Sequence, residues 1–371
     1  MILVQCQTKE KEGETDKTPS FLIDRTSILP FDELVSEIEF IPLVAPKDTL
    51  INLSCNVSEL VVHDKIYYAS RCFQDLDLEG NHRQSWNRKG DGPEEYPALH
   101  GMIIENDELY ISTGRGVLLK YGLPEFDFRK EIKLGEFNFV PTVSLISPES
   151  WLISSEPTNK AREKIFHVVD PKAKAAKTLP ILSLPYSGEL NPGMIADMKE
   201  GKLLNFGLSD TIYRYQEGIV KPYITLDFGD KSIVTDDFEL EGEAFVEKIL
   251  LSQDYAFNTG LIDFSEGSLK LMAYGIEKNL LFDKGSLSTF PFYDVFISRS
   301  SGELKITKAL LSVRNNSYST GGYFYQVMQQ SDWQRALDLG YFGKYEELLL
   351  NSIEKLSDEE DPIVLKFNIG F

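Results

Sequence analysis

Arg88-Lys89-Gly90-Asp91-Gly92-Pro93-Glu94-Glu95-Tyr96 packs two glycines, a proline, two carboxylates and a phenol into one short stretch. Glycine admits a positive φ or a close approach of other atoms, and Pro93 fixes its own φ and pushes Gly92 toward extended geometry. Glu95 can accept hydrogen bonds from backbone amides, and Tyr96 can fill a gap while its hydroxyl stays wet. Such a loop either clasps two structural units or contacts a ligand. A phosphate cradle is disfavoured, because no Gly-Lys-Ser/Thr ending and no helical pattern follow. His100 comes just after the loop. Trp86 and Trp333 lie among polar residues and are candidate stacking platforms for a sugar, against the alternative that they are core. Glu95, Tyr96, His100, Trp86 and Trp333 are therefore the candidate ligand contacts.

Other reactive constellations are weak. No Gly-x-Ser-x-Gly elbow occurs, and His63, His82, His100 and His167 lack the spacing of a zinc site. The 58 Asp and Glu residues are too many for an acid/base pair to be picked out. Asp75-Leu76-Asp77-Leu78-Glu79-Gly80 opens like a calcium loop, but the twelfth position is Trp86 rather than a bidentate Glu. Acids alternating with leucines suit a strand and turn. The expectation is no metal and no cofactor, with a structural calcium ion as the alternative.

Cys6, Cys55 and Cys72 are the only cysteines. Cys55 and Cys72 are either one disulfide or two small buried side chains. Met1-Ile2-Leu3-Val4-Gln5-Cys6, followed by a charged polar stretch, resembles the end of a bacterial lipoprotein signal with Cys6 as the lipid acceptor. Gln5 replaces the usual small residue, and the basic start and most of the apolar core are missing, so the recorded start is expected to lie inside a longer signal. No apolar run is long enough to cross a bilayer as a helix. A net charge of −20 disfavours nucleic acid and anionic lipid surfaces.

The elements that must hold these residues are short strands. Leu60–Tyr68 reads strand, tight turn, strand, and Ile103–Tyr110 repeats it one propeller blade later, at roughly 40–50 residues per blade. Further units lie at 144–153, 194–206, 261–271, and around 310–313 with 322–327. Segments 241–253 (Phe245, Val246, Ile249, Leu250) and the stretch after Gly343 (Tyr345, Leu348, Leu349, Ile353, Leu356) read as helical insertions packed on a sheet. The period-two segment Glu37–Leu43 is predicted to share a blade with the strand at 362–369, closing the ring and removing open sheet edges.

These residues resemble a known family. Gly90-x-Gly92-Pro93-x-Glu95-Tyr96, with Asp77-Leu78-Glu79-Gly80-Asn81 before it, is similar to the signature of the TolB-like, six-bladed β-propeller lipoproteins of Gram-negative bacteria that use complex glycans. Ile41-Pro42-Leu43 before Leu50-Ile51, Ser209–Tyr215 with Ile224–Gly229, and Asp361–Phe367 agree with that family's opening, middle and final strands. The resemblance spans 37–371. It departs at Gln5 and at Glu94, where the family often has a small residue. It supplies no catalytic residues.

The expectation is an all-β, six-bladed β-propeller at 21–371 with small helical insertions, behind a flexible tether at 1–20. Its function is expected to be non-enzymatic binding or scaffolding of an unknown protein or glycan. It would sit in the cell envelope, held to a membrane only by a lipid anchor and facing the periplasm or exterior. The alternative is a glycan hydrolase or lyase with paired carboxylates at the channel mouth.

Overall fold

The computed structural model describes residues 18–45, 59–69, 73–137, 139–156, 163–184, 193–233, 242–251, 254–277, 292–310, 317–358 and 360–371. Cys6, Cys55 and Cys72, and so both cysteine readings, lie outside them. β1 (Ser20–Leu22), α1 (Phe31–Leu34) and β2 (Val35–Pro42) come first. Blade 1 is β3 (Glu59–Val62), β4 (Ile66–Ala69), β5 (Phe73–Leu76) and β6 (His82–Trp86). Blade 2 is β7 (Gly101–Glu105), β8 (Glu108–Ser112), β9 (Val117–Gly122) and β10 (Asp127–Lys133). Blade 3 is β11 (Val143–Ser147), β12 (Ser150–Ser154), β13 (Phe166–Asp170) and β14 (Ala175–Thr178). Blade 4 is β15 (Met194–Met198), β16 (Gly201–Asn205), β17 (Thr211–Gln216) and β18 (Ile219–Asp227). After α2 (Gly242–Phe245), blade 5 is β19 (Phe257–Ser265), β20 (Ser268–Tyr274), β21 (Phe292–Ser298) and β22 (Leu304–Lys308). Blade 6 contains β23 (Ser317–Thr320) and β24 (Tyr323–Met328), then α3 (Gln330–Asp338) and α4 (Glu346–Ile353) as insertions, then β25 (Ile363–Ile369).

Each blade is an antiparallel meander whose first strand touches the first strand of a neighbour, so β3, β7, β11, β15, β19 and β23 ring a central channel. Burial falls outward, from fully buried positions on β8 to the wholly exposed β14. The outermost strand of blade 6 is β2, which pairs antiparallel with β25 from Val35↔Ile369 to Pro42↔Ile363. The predicted closure is thus present, and the chain's two ends finish one sheet.

The N-terminal segment does more than close the ring. β1 adds to blade 4 as a fifth strand, parallel to β18, and Leu29 N donates to Ile306 O of blade 5 before β2 joins blade 6. One segment therefore laces the outer edges of three consecutive blades. This rim strand was not anticipated, because three residues in a parallel pair leave no periodicity to read.

The helical insertions exist with adjustments. Phe245 and Ile249 are buried, the latter in a π-helical turn that continues α2. On α4, Leu349 and Ser352 face inward, and Ser352 Oγ donates to Phe40 O at 3.0 Å, fastening the helix across β2. Leu348 is 47 % exposed, a correction to its predicted inward position: the stripe through Tyr345, Leu349, Ser352 and Leu356 leaves it at the edge.

Blade 5 carries a buried charged row. Asp263 of β19 stands opposite Lys270 of β20, and Lys270 Nζ lies 3.6 Å from Asp294 Oδ1 of β21. Lys270 and Asp294 are 5 % and 2 % exposed. Burial pushes the Asp294 carboxyl up; Lys270 opposes that shift and Asp263 adds to it. Removing one partner strands the other, so Lys270→Ala is expected to cost about 3–5 kcal/mol in urea unfolding. Lys270→Met with Asp294→Leu is expected to recover most of it. An additive double mutant would show that the two do not act as a pair.

Candidate functional site

The signature loop is a clasp between blades 1 and 2. Tyr96 N donates to Arg88 O at 2.9 Å, Gly90 N to Tyr96 O at 3.2 Å and Glu95 N to Gly92 O at 3.1 Å. The Glu95 carboxylate folds back and accepts from Gly92 N at 2.9 Å. A Cβ on Gly90 would come within 1.9 Å of Glu95 Oε2, and one on Gly92 within 2.9 Å. Both glycines are therefore demanded by the carboxylate above them. Tyr96 is fully buried among Val61, Phe73, Leu109, Tyr121 and Phe126, a wedge between two blades. This corrects the expectation of a wet hydroxyl. Tyr121 OH then donates to Glu94 O at 3.0 Å, and Arg88 pairs with Glu94 at 3.2 Å, which gives Glu94 a use where the resembled family has a small residue.

The other candidates divide. Trp86 is half-buried, with its ring 5.4 Å from Phe73 and 5.3 Å from Phe126, so it belongs to the same interface. Trp333 is 6 % exposed on α3 and packs into the core of blade 6. A stacking platform needs an open ring face, so the platform reading of Trp333 is corrected. Its polar neighbours Asp332 and Gln334 merely reflect that the other faces of α3 meet solvent. The calcium-like stretch is a strand and turn: Asp75 is buried and pairs with Lys65 at 2.9 Å, while Asp77 Oδ1 accepts from Glu79 N and Asn81 N.

His100 remains exposed, and it leads to a group that local pattern could not reveal. Its ring meets Phe139 edge to face at 5.0 Å and lies against Gly114, where a Cβ would come within 2.5 Å. Phe137 sits over Gly135 and stands 5.2 Å from His167. His167 Nε2 is 3.0 Å from Ser155 Oγ, and Nδ1 is 3.1 Å from Thr178 Oγ1. Gly114, Gly116 and Gly135 all have positive φ, and Leu134 N and Val140 N donate to the carbonyls of Gly116 and Gly114. Turn and linker are thus stitched together to present two His–Phe pairs at one end of blades 2 and 3. Burial lowers the pKa of both imidazoles, so they are neutral near pH 7. Half-exposed neutral rings framed by hydroxyls can stack on an apolar face and exchange hydrogen bonds at its edge. Its one trace in the sequence is Gly114-x-Gly116 followed by Gly135-x-Phe137-x-Phe139, which points to neither histidine.

The channel carries acids on its inner strands. Tyr318 of β23 is pushed up to about 12 by burial first, then by Asp197, Tyr325 and Glu105. Blades 2, 4 and 6 alternate round the ring, so a phenol on blade 6 that feels Glu105 and Asp197 reaches toward the axis. Asp197 accepts from Ser144 Oγ and Lys202 Nζ, each at 2.7 Å, and Asp263 from Ser317 Oγ at 2.6 Å. Glu59 stands at the opposite end of its inner strand, enclosed by protein yet reached by water, and burial pushes its carboxyl up to about 8.

The fold and these sites define a six-bladed β-propeller. The chain belongs to the family of the domain of unknown function DUF4934, whose model matches residues 20–368. No curated protein matches the sequence significantly. Among solved structures, a Bacteroides fragilis protein provisionally named as exported aligns at 16 % identity with TM-score 0.69, over 95 % of this chain and 99 % of its own. At that identity the likeness shows the fold alone. U3-55K (10 % identity, TM-score 0.46, 90 % and 98 % covered) and the Neurospora crassa Pan2 WD40 domain (10 %, 0.41, 77 % and 81 %) are similar too weakly to carry an argument.

Two outcomes check this geometry. Gly90→Ala is expected to destabilise by about 1–2 kcal/mol through displacement of the Glu95 carboxylate, and Glu95→Ala is expected to abolish most of that cost. A double-mutant cycle in urea reads the coupling, and additivity would contradict it. For Glu59 the folded pKa lies above the unfolded value of 4.5. The folded chain therefore holds an extra proton between those values, and stability from this group falls as pH rises toward about 8. Unfolding midpoints of Glu59→Gln should match wild type near pH 4, below the unfolded value, and exceed it at pH 9.

Proposed function

We propose that this chain is a non-enzymatic, glycan-binding propeller of the cell envelope, TolB-like in its architecture and tethered through a lipid on Cys6. The observation that carries the reading is the His100–Phe139 and Phe137–His167 array: four neutral rings, partly open, set on glycine turns and bordered by Ser155 and Thr178. Sugars present C–H faces for rings and hydroxyls for such borders. The exported name given to the Bacteroides fragilis relative in fold supports an envelope location, as does the lipoprotein-like stretch ending at Cys6. Asp197 and Asp263, at the far ends of the inner strands, are engaged by Ser144, Lys202 and Ser317, which suits structural roles better than a hydrolytic pair.

A glycan array followed by titration calorimetry tests the binding. Phe137→Ala and Phe139→Ala are each expected to weaken the best glycan roughly tenfold, with the melting temperature little changed. Unchanged affinity in both variants, or cleavage of the glycan, would overturn the reading. Mass spectrometry of the Cys6 peptide from native membranes is expected to show a diacylglycerol adduct, and an unmodified thiol would remove the tether.

A further inference from the structure

Blade 2 carries a cavity at the other end of its strands from His100. In β10 the pairing passes from Phe128↔Tyr121 to Lys130↔Lys120, leaving Arg129 as the extra residue of a β-bulge. In a regular strand Arg129 and Lys130 would point to opposite faces; a bulge re-aims them. Both line one cavity of about 540 Å³ together with Lys120, Asn106, Asp107 and Glu108. Gly122 contributes the space: a Cβ there would lie 2.6 Å from both Arg129 Nη2 and Asp127 Oδ1. Three cations thus converge on one hollow in a chain whose net charge is −20.

Their partners differ. Lys120 pairs with Glu108 at 2.5 Å, and Arg129 Nε with Asp127 at 3.1 Å. Lys130 makes no ion pair within 4 Å among the described residues, although its charge, after the Lys120 hydrogen bond, helps hold the Glu108 carboxyl below its ordinary value, and Arg129 meets Asp127 through Nε. A phosphate dianion would meet Asp107 and Glu108 as well as the cations. A single carboxylate flanked by neutral hydroxyls matches the whole lining: Lys130 and Arg129 take the carboxylate, Asp107 and Glu108 accept from hydroxyls, and Asn106 serves either way. The cavity volume lies within the usual range for small-molecule sites, roughly 300–1,000 Å³.

We propose that the bulge-built cavity of blade 2 binds a polyhydroxylated monocarboxylate, of the sugar-acid class. This rests on its own lining and is independent of the ring array at the other end of the blade. The test is calorimetry on the full chain with gluconate, glucuronate, galacturonate, the methyl ester of galacturonate, and inorganic phosphate. At least one acid is expected to bind with Kd below about 1 mM. The ester and phosphate should bind at least tenfold more weakly. Lys130→Met, which breaks no ion pair among the described residues, should weaken the acid about tenfold with an unchanged melting temperature, and Arg129→Lys should weaken it by losing the forked contact. No binding by any acid, equal binding of the ester, tighter binding of phosphate, or an unaffected Lys130→Met overturns the proposal.

Discussion

A ring of sheets stays open until its last blade is joined to its beginning, and here that join is a single strand pair. β2 supplies the outer strand of blade 6 by pairing with β25, and every other position in the ring inherits its geometry from that closure. The pair is well defended. α4 lies across β2 through Leu349 and Ser352, and Phe31, Phe40, Phe342 and Phe367 form an edge-to-face cluster around it. Main-chain pairing sets the register, and the aromatic seam makes slippage costly, since a shift by one residue would turn Phe40 and Leu365 outward.

Between blades the molecule uses a second device, small polar groups locked in place by glycine. The Glu95 carboxylate over Gly90 and Gly92 is one case. Another is the buried amide pair of Asn205 and Asn258, in which Asn258 Nδ2 donates to Asn205 Oδ1 at 2.6 Å and Asn205 Nδ2 to Asn258 Oδ1 at 3.2 Å, joining blade 4 to blade 5. Between blades 3 and 4, Ser154 Oγ and Thr142 Oγ1 both donate to Gly193 O at 2.8 Å. A buried hydrogen bond adds little net stability, but an unmet donor is expensive, so such links penalise wrong blade angles more than they reward right ones. The result is a rigid frame whose linkers hold surface rings in fixed places.

How much of this was legible follows from locality. The strand-turn-strand units, the closure and the need for glycine at 90 and 92 are written in neighbouring residues and could be read there. The cause of that need, a carboxylate folding back over both positions, required coordinates. The ring array draws Phe137 and Phe139 from a linker, His100 from another linker and His167 from the third strand of blade 3, so no window of sequence contains it. The cavity of blade 2 depends on a bulge at Arg129, which strand periodicity cannot predict. Trp333 was misread for the converse reason: polar neighbours in sequence point away from the face it uses.

The central claim is that a rigid propeller meets its ligand through the ring array of blades 2 and 3. The most direct measurement is amide hydrogen exchange of the full chain with and without its best-binding glycan. The account predicts slowed exchange confined to 97–101, 113–116, 134–142 and the residues around Ser155, His167 and Thr178, with the glycan recovered intact. Protection at the inner-strand acids Glu105, Asp197 and Asp263 instead, or release of cleaved sugar, would contradict it.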